Sequence, residues 1–155
     1  MEYENNIKKL GILIPDAPNP VGSYVAYKIV NKFLYISGQI SLNFKGKLGK
    51  DISIEDGQEA AKQCAISIIA QAKKACSGDL NKIKNCVKLT GYVNSTDNFV
   101  DQPKIINGAS DLISGVFGFN GKHTRAAVST SSLPLGVAVE AVSYTHLTLP
   151  TKRIV

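Results

Sequence analysis

The chain has 155 residues, of which 44% are hydrophobic and 19% are charged, proportions typical of a single globular domain with a substantial core. It has no apolar stretch long enough to cross a membrane, and its polar, acidic start does not resemble a secretory signal. We therefore expect a cytoplasmic protein without a membrane partner. The net charge of +6 comes from scattered lysines rather than a basic stripe, which argues against nucleic acid as a partner.

The three cysteines form no CxxC pair and have no histidine at a metal-ligand spacing (Cys64, Cys76 and Cys86). We expect three reduced thiols that are mostly buried, and no metal site.

The first third of the chain predicts an extended segment followed by a β-hairpin. Three prolines between residues 15 and 20 exclude a regular helix or a central strand there. Residues 23–30 and 33–37 are rich in aromatic and β-branched side chains, and Asn31-Lys32 lies between them as a tight turn. Gly38 follows directly, and the glycine-rich residues 43–49 predict a loop.

Two amphipathic helices are predicted on either side of a strand at residues 86–93. The first begins at a capping box, Ser53 to Asp56, ends near Gly78, and has an apolar stripe at intervals of three or four residues (Ala61, Cys64, Ala65, Ile68, Ala72, Cys76). The second has Pro103 in its first turn and a longer stripe (Ile105, Ile106, Ala109, Leu112, Ile113, Val116). Asn107-Gly108 is unfavourable inside a helix, so we expect a packing or pocket contact there.

Two last strands are predicted at about residues 124–130 and 136–143, giving the order β-β-α-β-α-β-β. This order predicts an α+β fold, one mixed sheet with two helices on one face. The last strand is apolar at both parities, so we expect its helix-free face to pack on copies of the same sheet in a homo-oligomer. Residues 1–144 form the predicted domain. Residues 145–155 do not continue the strand pattern and predict a non-native or disordered tail.

One arginine and one glutamate are the strongest functional signals. The chain has sixteen lysines, yet Arg125 is the only arginine before its last dozen residues, and Glu140 interrupts the apolar run at residues 137–142. The planar guanidinium can bind a carboxylate through two parallel hydrogen bonds, and a carboxylate in an apolar strand must be paired or functional. If the last two strands paired, Arg125 and Glu140 would lie opposite or diagonal to each other. They would then form either an ion pair that sets the strand register or, the interpretation we favour, part of a functional site.

Several motifs resemble those of the YjgF/RidA family, also called the UK114 or L-PSP endoribonuclease family. Their order and spacing match from about residue 10 to residue 143 (Gly22-Ser23-Tyr24, Ser37-Gly38-Gln39, Asn107, Arg125, Leu133-Pro134, Val139-Glu140). The resemblance implies a chorismate-mutase-like fold and a homotrimer with its sites between subunits. It also implies hydrolysis of reactive 2-imino acids and their enamine tautomers to 2-keto acids and ammonia, without a metal or cofactor.

The resemblance also implies a role for individual residues. Arg125 would bind the substrate carboxylate and Glu140 would position or deprotonate the attacking water. Tyr24, Ser37 and Asn107 would line the pocket or hold water, and the backbone near Ala127 would contact the substrate. The chain differs from the family pattern at Ala127, where cysteine is frequent, and at His123-Thr124, where a proline-containing pair is frequent.

Two other functions stay open at this point. The same cleft could bind small carboxylic acids as a sensor without turnover. Ribonuclease activity has been attributed to the superfamily, but the sequence has neither a histidine pair nor a basic groove that supports it.

Overall fold

A computed structural model of the protein describes residues 2–148. It contains three α-helices and five strands: α1 (Glu2–Lys9), β1 (Tyr27–Val30), β2 (Phe33–Ile40), α2 (Ile54–Ala75), β3 (Ile83–Asn94), α3 (Gln102–Phe117), β4 (Thr124–Thr130) and β5 (Val139–Leu147). The strands form one sheet in the order β1-β2-β5-β3-β4. Strands β3 and β4 are parallel and the other neighbours are antiparallel, which confirms the predicted mixed sheet.

The predicted order of strands and helices is confirmed, with α1 added in front of it. Helix α1 packs against α3 and buries Tyr3 and Ile7. Helices α2 and α3 pack together, and their predicted apolar stripes lie in the core. No helix within residues 2–148 is long and apolar enough to cross a membrane.

The β1–β2 hairpin has the turn that the sequence predicts. Asn31 and Lys32 have φ angles of 50° and 68°, the pair of positive values that defines a type I′ turn and suits the twist of the two strands. The first strand is shorter than predicted and begins at Tyr27 rather than residue 23.

Both helices begin and pack for identifiable reasons. The Ser53 hydroxyl accepts a hydrogen bond from the Asp56 backbone N–H at 3.1 Å, which caps α2. In α3, a Cβ atom on Gly108 would lie 2.8 Å from the backbone carbonyl carbon of Gln58. Gly108 is therefore required for the close approach of α2 and α3, which confirms the packing explanation for a glycine at this position.

Strand β5 lies in the middle of the sheet, where it does not pair with β4, and its predicted end is wrong. It pairs with β2 and β3 rather than with β4, so β3 separates it from the strand that carries Arg125. It also continues to Leu147, because Thr145 and Leu147 extend the alternation of buried positions past Tyr144. Residues 149–155, the rest of the predicted tail, lie outside the described part of the chain.

Candidate functional site

Glu140 lies beside a bulge in β2 that makes room for its carboxyl group. The register of β2 against β5 shifts between Ile36 and Gln39, so residues 37 and 38 together lie opposite Val142. A Cβ atom on Gly38 would lie 2.9 Å from the Glu140 carboxyl carbon and would also collide with one of its oxygens. The Ser37-Gly38-Gln39 motif is therefore structurally coupled to Glu140: only glycine leaves the space that this carboxyl group occupies.

A cavity of about 700 Å³ opens next to Glu140. It lies between the 11–26 segment, β2 and α2, and its mostly apolar wall carries a few polar side chains, among them Tyr24, Gln39, Lys62 and Gln71. Tyr24 and Glu140, two of the predicted site residues, are thus brought together at one cavity.

Ser37 fixes the position of the segment that forms one wall of this cavity. Its hydroxyl donates to the Val25 carbonyl oxygen at 2.7 Å, and its backbone N–H donates to the Ala26 carbonyl oxygen at 2.9 Å. On the other side, the fully buried Gln71 amide donates to the Pro18 carbonyl oxygen at 2.7 Å. These bonds tie the 11–26 segment to β2 and α2, so the cavity has a preformed shape.

The environment of Glu140 favours its protonated form. Partial burial raises the pKa of this carboxyl group above its ordinary value. The ion pairs among the described residues involve other groups, Lys73 with Glu4 and Lys104 with Asp101. A carboxyl group with a raised pKa and access to a cavity is a stronger base than an exposed glutamate and is suited to proton transfer.

Arg125 belongs to a second cluster, where β4 packs against α3. Its Nη1 atom donates to Asn107 Oδ1 at 2.8 Å and to Ser110 Oγ at 3.2 Å, and its Nη2 atom donates to the Pro103 carbonyl oxygen at 3.4 Å. A guanidinium has five N–H donors, so within residues 2–148 these three contacts leave two, the number that a bidentate carboxylate requires. Asn107 is thus an orienting partner of Arg125. Ala127 lies two residues further along β4, on the same face.

The two clusters are separate within one chain. Arg125 on β4 pairs with Leu89 on β3, and Leu89 pairs with Ser143 on β5. Arg125 and Glu140 are therefore separated by two strand spacings across the sheet and by three residues along β5. At ordinary strand spacings this is roughly 14 Å between Cα atoms. Glu140 also alternates with the buried residues Val139 and Ala141 and lies on the opposite face of the sheet from Arg125. An internal Arg–Glu pair that sets the strand register is therefore excluded.

All three cysteines are free and buried, as predicted. Burial raises the pKa of the Cys64 thiol strongly and that of Cys86 to about 11. Thiols in this state are poor nucleophiles at neutral pH. Within residues 2–148, no group of three or more histidine, cysteine or acidic side chains is arranged to hold a metal ion.

Sequence reasoning missed three polar residues around these clusters. Ser110 lies one turn after Asn107 on α3, a spacing that could have suggested a shared contact. His123, noted from the sequence only as a departure from the family pattern, forms a hydrogen bond with Ser110 through Nε2 at 2.9 Å. Gln71 is a fully buried amide in the otherwise apolar stripe of α2. Because buried amides are normally hydrogen-bonded, a glutamine at this position of the stripe could have indicated a buried polar contact.

The fold is that of a small α+β protein, with an arginine cluster and a glutamate cluster on opposite faces of its sheet. Residues 4–147 match a family model described as "YjgF/chorismate mutase-like, putative endoribonuclease". The chain therefore belongs to the YjgF/chorismate-mutase-like family, which confirms the resemblance found in the sequence.

Individual relatives agree with this membership. Protein TCP17 of Trypanosoma cruzi is 40% identical over 148 residues, 92% of each chain. The crystal structure of Atu1372 from Agrobacterium tumefaciens matches with a TM-score of 0.88 and 38% identity, over 96% of this chain and 93% of that one. RidA from an Antarctic Psychrobacter species matches with a TM-score of 0.59 and 25% identity, over 85% and 94% of the two chains.

Proposed function

We propose that the protein hydrolyses 2-imino acids and their enamine tautomers to 2-keto acids and ammonia, at sites formed between the subunits of a homotrimer. The observation that carries the proposal is the division of the site residues. An arginine with two unused donors and a half-buried glutamate beside a cavity lie too far apart to act on one small molecule within a single chain. A neighbouring copy can supply the missing half.

The reaction requires few groups because an imine carbon is already electrophilic. Arg125 binds the substrate carboxylate and so orients the C=N bond, and Glu140 accepts a proton from water as the water oxygen attacks the carbon. The same carboxyl group returns this proton to the nitrogen, which gives a carbinolamine. It then takes the proton of the new hydroxyl group as the C=O bond forms and passes it to the nitrogen as the C–N bond breaks, so that ammonia and a 2-keto acid are released. The raised pKa of Glu140 suits these proton transfers.

The helix-free face of the sheet supports assembly with copies of the chain. It carries aromatic side chains in neighbouring pairs, Tyr35 with Tyr144 at 5.0 Å between ring centroids and Phe33 with His146 at 4.9 Å. Tyr35 is 43% exposed and Tyr144 37% exposed in the single chain. An aromatic sheet face of this kind is typical of the core of a protein interface.

The test measures ammonia release from 2-iminopropanoate or 2-iminobutanoate that is generated in situ. Wild-type protein is expected to accelerate release, and Arg125→Ala to lose about 10²-fold or more, because two charge-assisted hydrogen bonds to the carboxylate disappear. Arg125→Lys is the matched variant: it keeps the charge but not the planar fork, so most of the activity should still be lost. Equal rates for wild type and Arg125→Ala, in the same oligomeric state, would overturn the proposal.

The same samples test the alternative of binding without turnover. Arg125 is held by three acceptors from α3, an arrangement that also suits a static carboxylate receptor. Thermal stabilisation by 2-oxobutanoate, lost in Arg125→Ala and without faster ammonia release in wild type, would establish the sensor in place of the enzyme.

A further inference from the structure

We propose that Ser110 and His123 position the Arg125 guanidinium, so that its unused donors are aimed at the substrate carboxylate. The inference rests on the proposed role of Arg125 as the carboxylate-binding group. Ser110 and His123 do not contact the reacting atoms in this proposal. Ser110 touches Arg125, and His123 acts through Ser110.

A continuous hydrogen-bond chain runs from Arg125 to the backbone at Gly121. Arg125 Nη1 lies 3.2 Å from Ser110 Oγ, Ser110 Oγ lies 2.9 Å from His123 Nε2, and His123 Nδ1 lies 2.6 Å from the Gly121 carbonyl oxygen. Ser110 and His123 are both half-buried. The chain therefore spans α3, the start of β4 and the turn between them.

The direction of each bond follows from the atoms at its ends. The Gly121 carbonyl oxygen only accepts, so His123 Nδ1 carries the hydrogen and, in the neutral ring, Nε2 is an acceptor. The Ser110 hydroxyl then donates to His123, and its lone pairs face Arg125 Nη1. A serine inside a helix otherwise tends to donate to the carbonyl of the residue four positions earlier, and His123 prevents this by offering a competing acceptor.

The turn that contains Gly121, whose carbonyl group binds His123, is packed against α3. Gly121 is buried, and a Cβ atom there would lie 3.0 Å from Ser114 Cα and would also meet the backbone of Ile113. The carbonyl that holds His123 is therefore docked on α3, one turn beyond Ser110. The histidine has little freedom to move relative to the serine that it orients.

The consequence for Arg125 is a fixed orientation of its remaining donors. Asn107 and Ser110 are two acceptors for Nη1, and Nη1 has two hydrogens. With both directed at α3, the guanidinium plane is set and the unused donors on Nε and Nη2 are left for a ligand. Without Ser110, Nη1 would keep one partner, and the plane could turn about it.

The experiment measures the affinity for 2-oxobutanoate and for the matched neutral ligand 2-oxobutanamide, together with kcat and KM, in the full-length protein. Ser110→Ala and His123→Leu are each expected to weaken carboxylate binding about 3- to 10-fold and to raise KM by a similar factor, because one orienting hydrogen bond is lost. The affinity for the amide should change less than twofold, and so should kcat. Ser110→Thr keeps the hydroxyl and should restore most of the affinity.

Two controls separate positioning from a general effect on the fold. Ser114→Ala removes a hydroxyl one turn further along α3 and should bind like wild type. Combining Ser110→Ala with Arg125→Ala should cost nothing beyond Arg125→Ala alone, since the serine acts through the arginine.

Two outcomes would overturn this inference and leave the proposed function standing. In the first, Ser110→Ala binds 2-oxobutanoate as tightly as wild type does. In the second, Ser110→Ala loses affinity for the carboxylate and for the amide by the same factor. If wild type does not bind 2-oxobutanoate at all, the role of Arg125 is wrong and the inference fails with it.

Discussion

Glu140 is the residue whose ionisation should control the rate. Burial raises its pKa, so it loses its proton at a higher pH than an exposed glutamate, whose pKa is about 4.3. As the proposed general base it must be ionised, and kcat/KM should therefore be low in acid and rise with pH through that raised pKa. A pH series from 4 to 8 on the wild-type protein measures the midpoint. A midpoint at or below 4.3 would contradict the raised pKa.

The same carboxyl group affects stability with a defined sign. Because its folded pKa lies above its unfolded pKa, the folded state binds the proton more tightly, and stability falls as pH rises through that interval. Above the interval the ionised carboxylate opposes folding. The burial that would make Glu140 a stronger base in the proposed reaction therefore costs stability above that interval.

The contact between α2 and α3 depends on one residue without a side chain. Gly108→Ala would place a methyl group against the Gln58 backbone, which cannot move aside as a side chain can. We expect a loss of about 1–3 kcal/mol in the free energy of unfolding, despite the higher helix propensity of alanine. Urea unfolding measures it. Gly115→Ala on the same helix meets only the exposed Leu10 side chain at 3.2 Å, so it should be neutral or stabilising. Equal midpoints for the two variants would contradict the argument.

Elements with local signals were predictable from the sequence. The capping box predicts the start of α2, the apolar stripes predict both long helices, and Asn31-Lys32 predicts the hairpin turn, because each pattern reports contacts within a few residues. Helix α1 was missed since its eight residues are mostly polar and bury only Tyr3 and Ile7. A pattern of two buried residues is too short to distinguish from a loop.

Strand pairing was the part that the sequence could not establish. The parallel pairing of β3 with β4 and the central place of β5 depend on contacts between distant segments. Arg125 and Glu140 were both recognisable as unusual residues, but the order of the strands decides that they do not meet. The hydrogen bonds that link Arg125, Ser110 and His123 could not be predicted for the same reason, because they join a helix to a strand across a turn.

At the scale of the whole molecule, the proposed site shared between two subunits predicts complementation between inactive variants. Arg125→Ala and Glu140→Gln should each be inactive alone. Unfolded together in equal amounts and refolded, they should recover about a quarter of the wild-type rate, since three quarters of random trimers are mixed and each mixed trimer has one intact site in three. Ammonia release measures the recovery.

Simple mixing of the two folded variants, without exchange of subunits, is the control and should stay inactive. No recovery after joint refolding, with trimers formed, would show that the arginine and the glutamate do not act in a site shared between chains. A cyclic assembly of another size would give the same fraction, because each interface has a one-in-four chance of joining an intact Arg125 to an intact Glu140.

The position of β5 has a consequence for how the chain is made on the ribosome. Strands β1 and β2 have no pairing with β3 and β4, and β5, the last strand described along the chain, joins the two parts by pairing with β2 and β3. A nascent polypeptide that ends before residue 139 therefore has two unconnected fragments of sheet, each with an open edge. The domain completes its fold only after synthesis has passed Leu147, and until then those edges need protection from other chains.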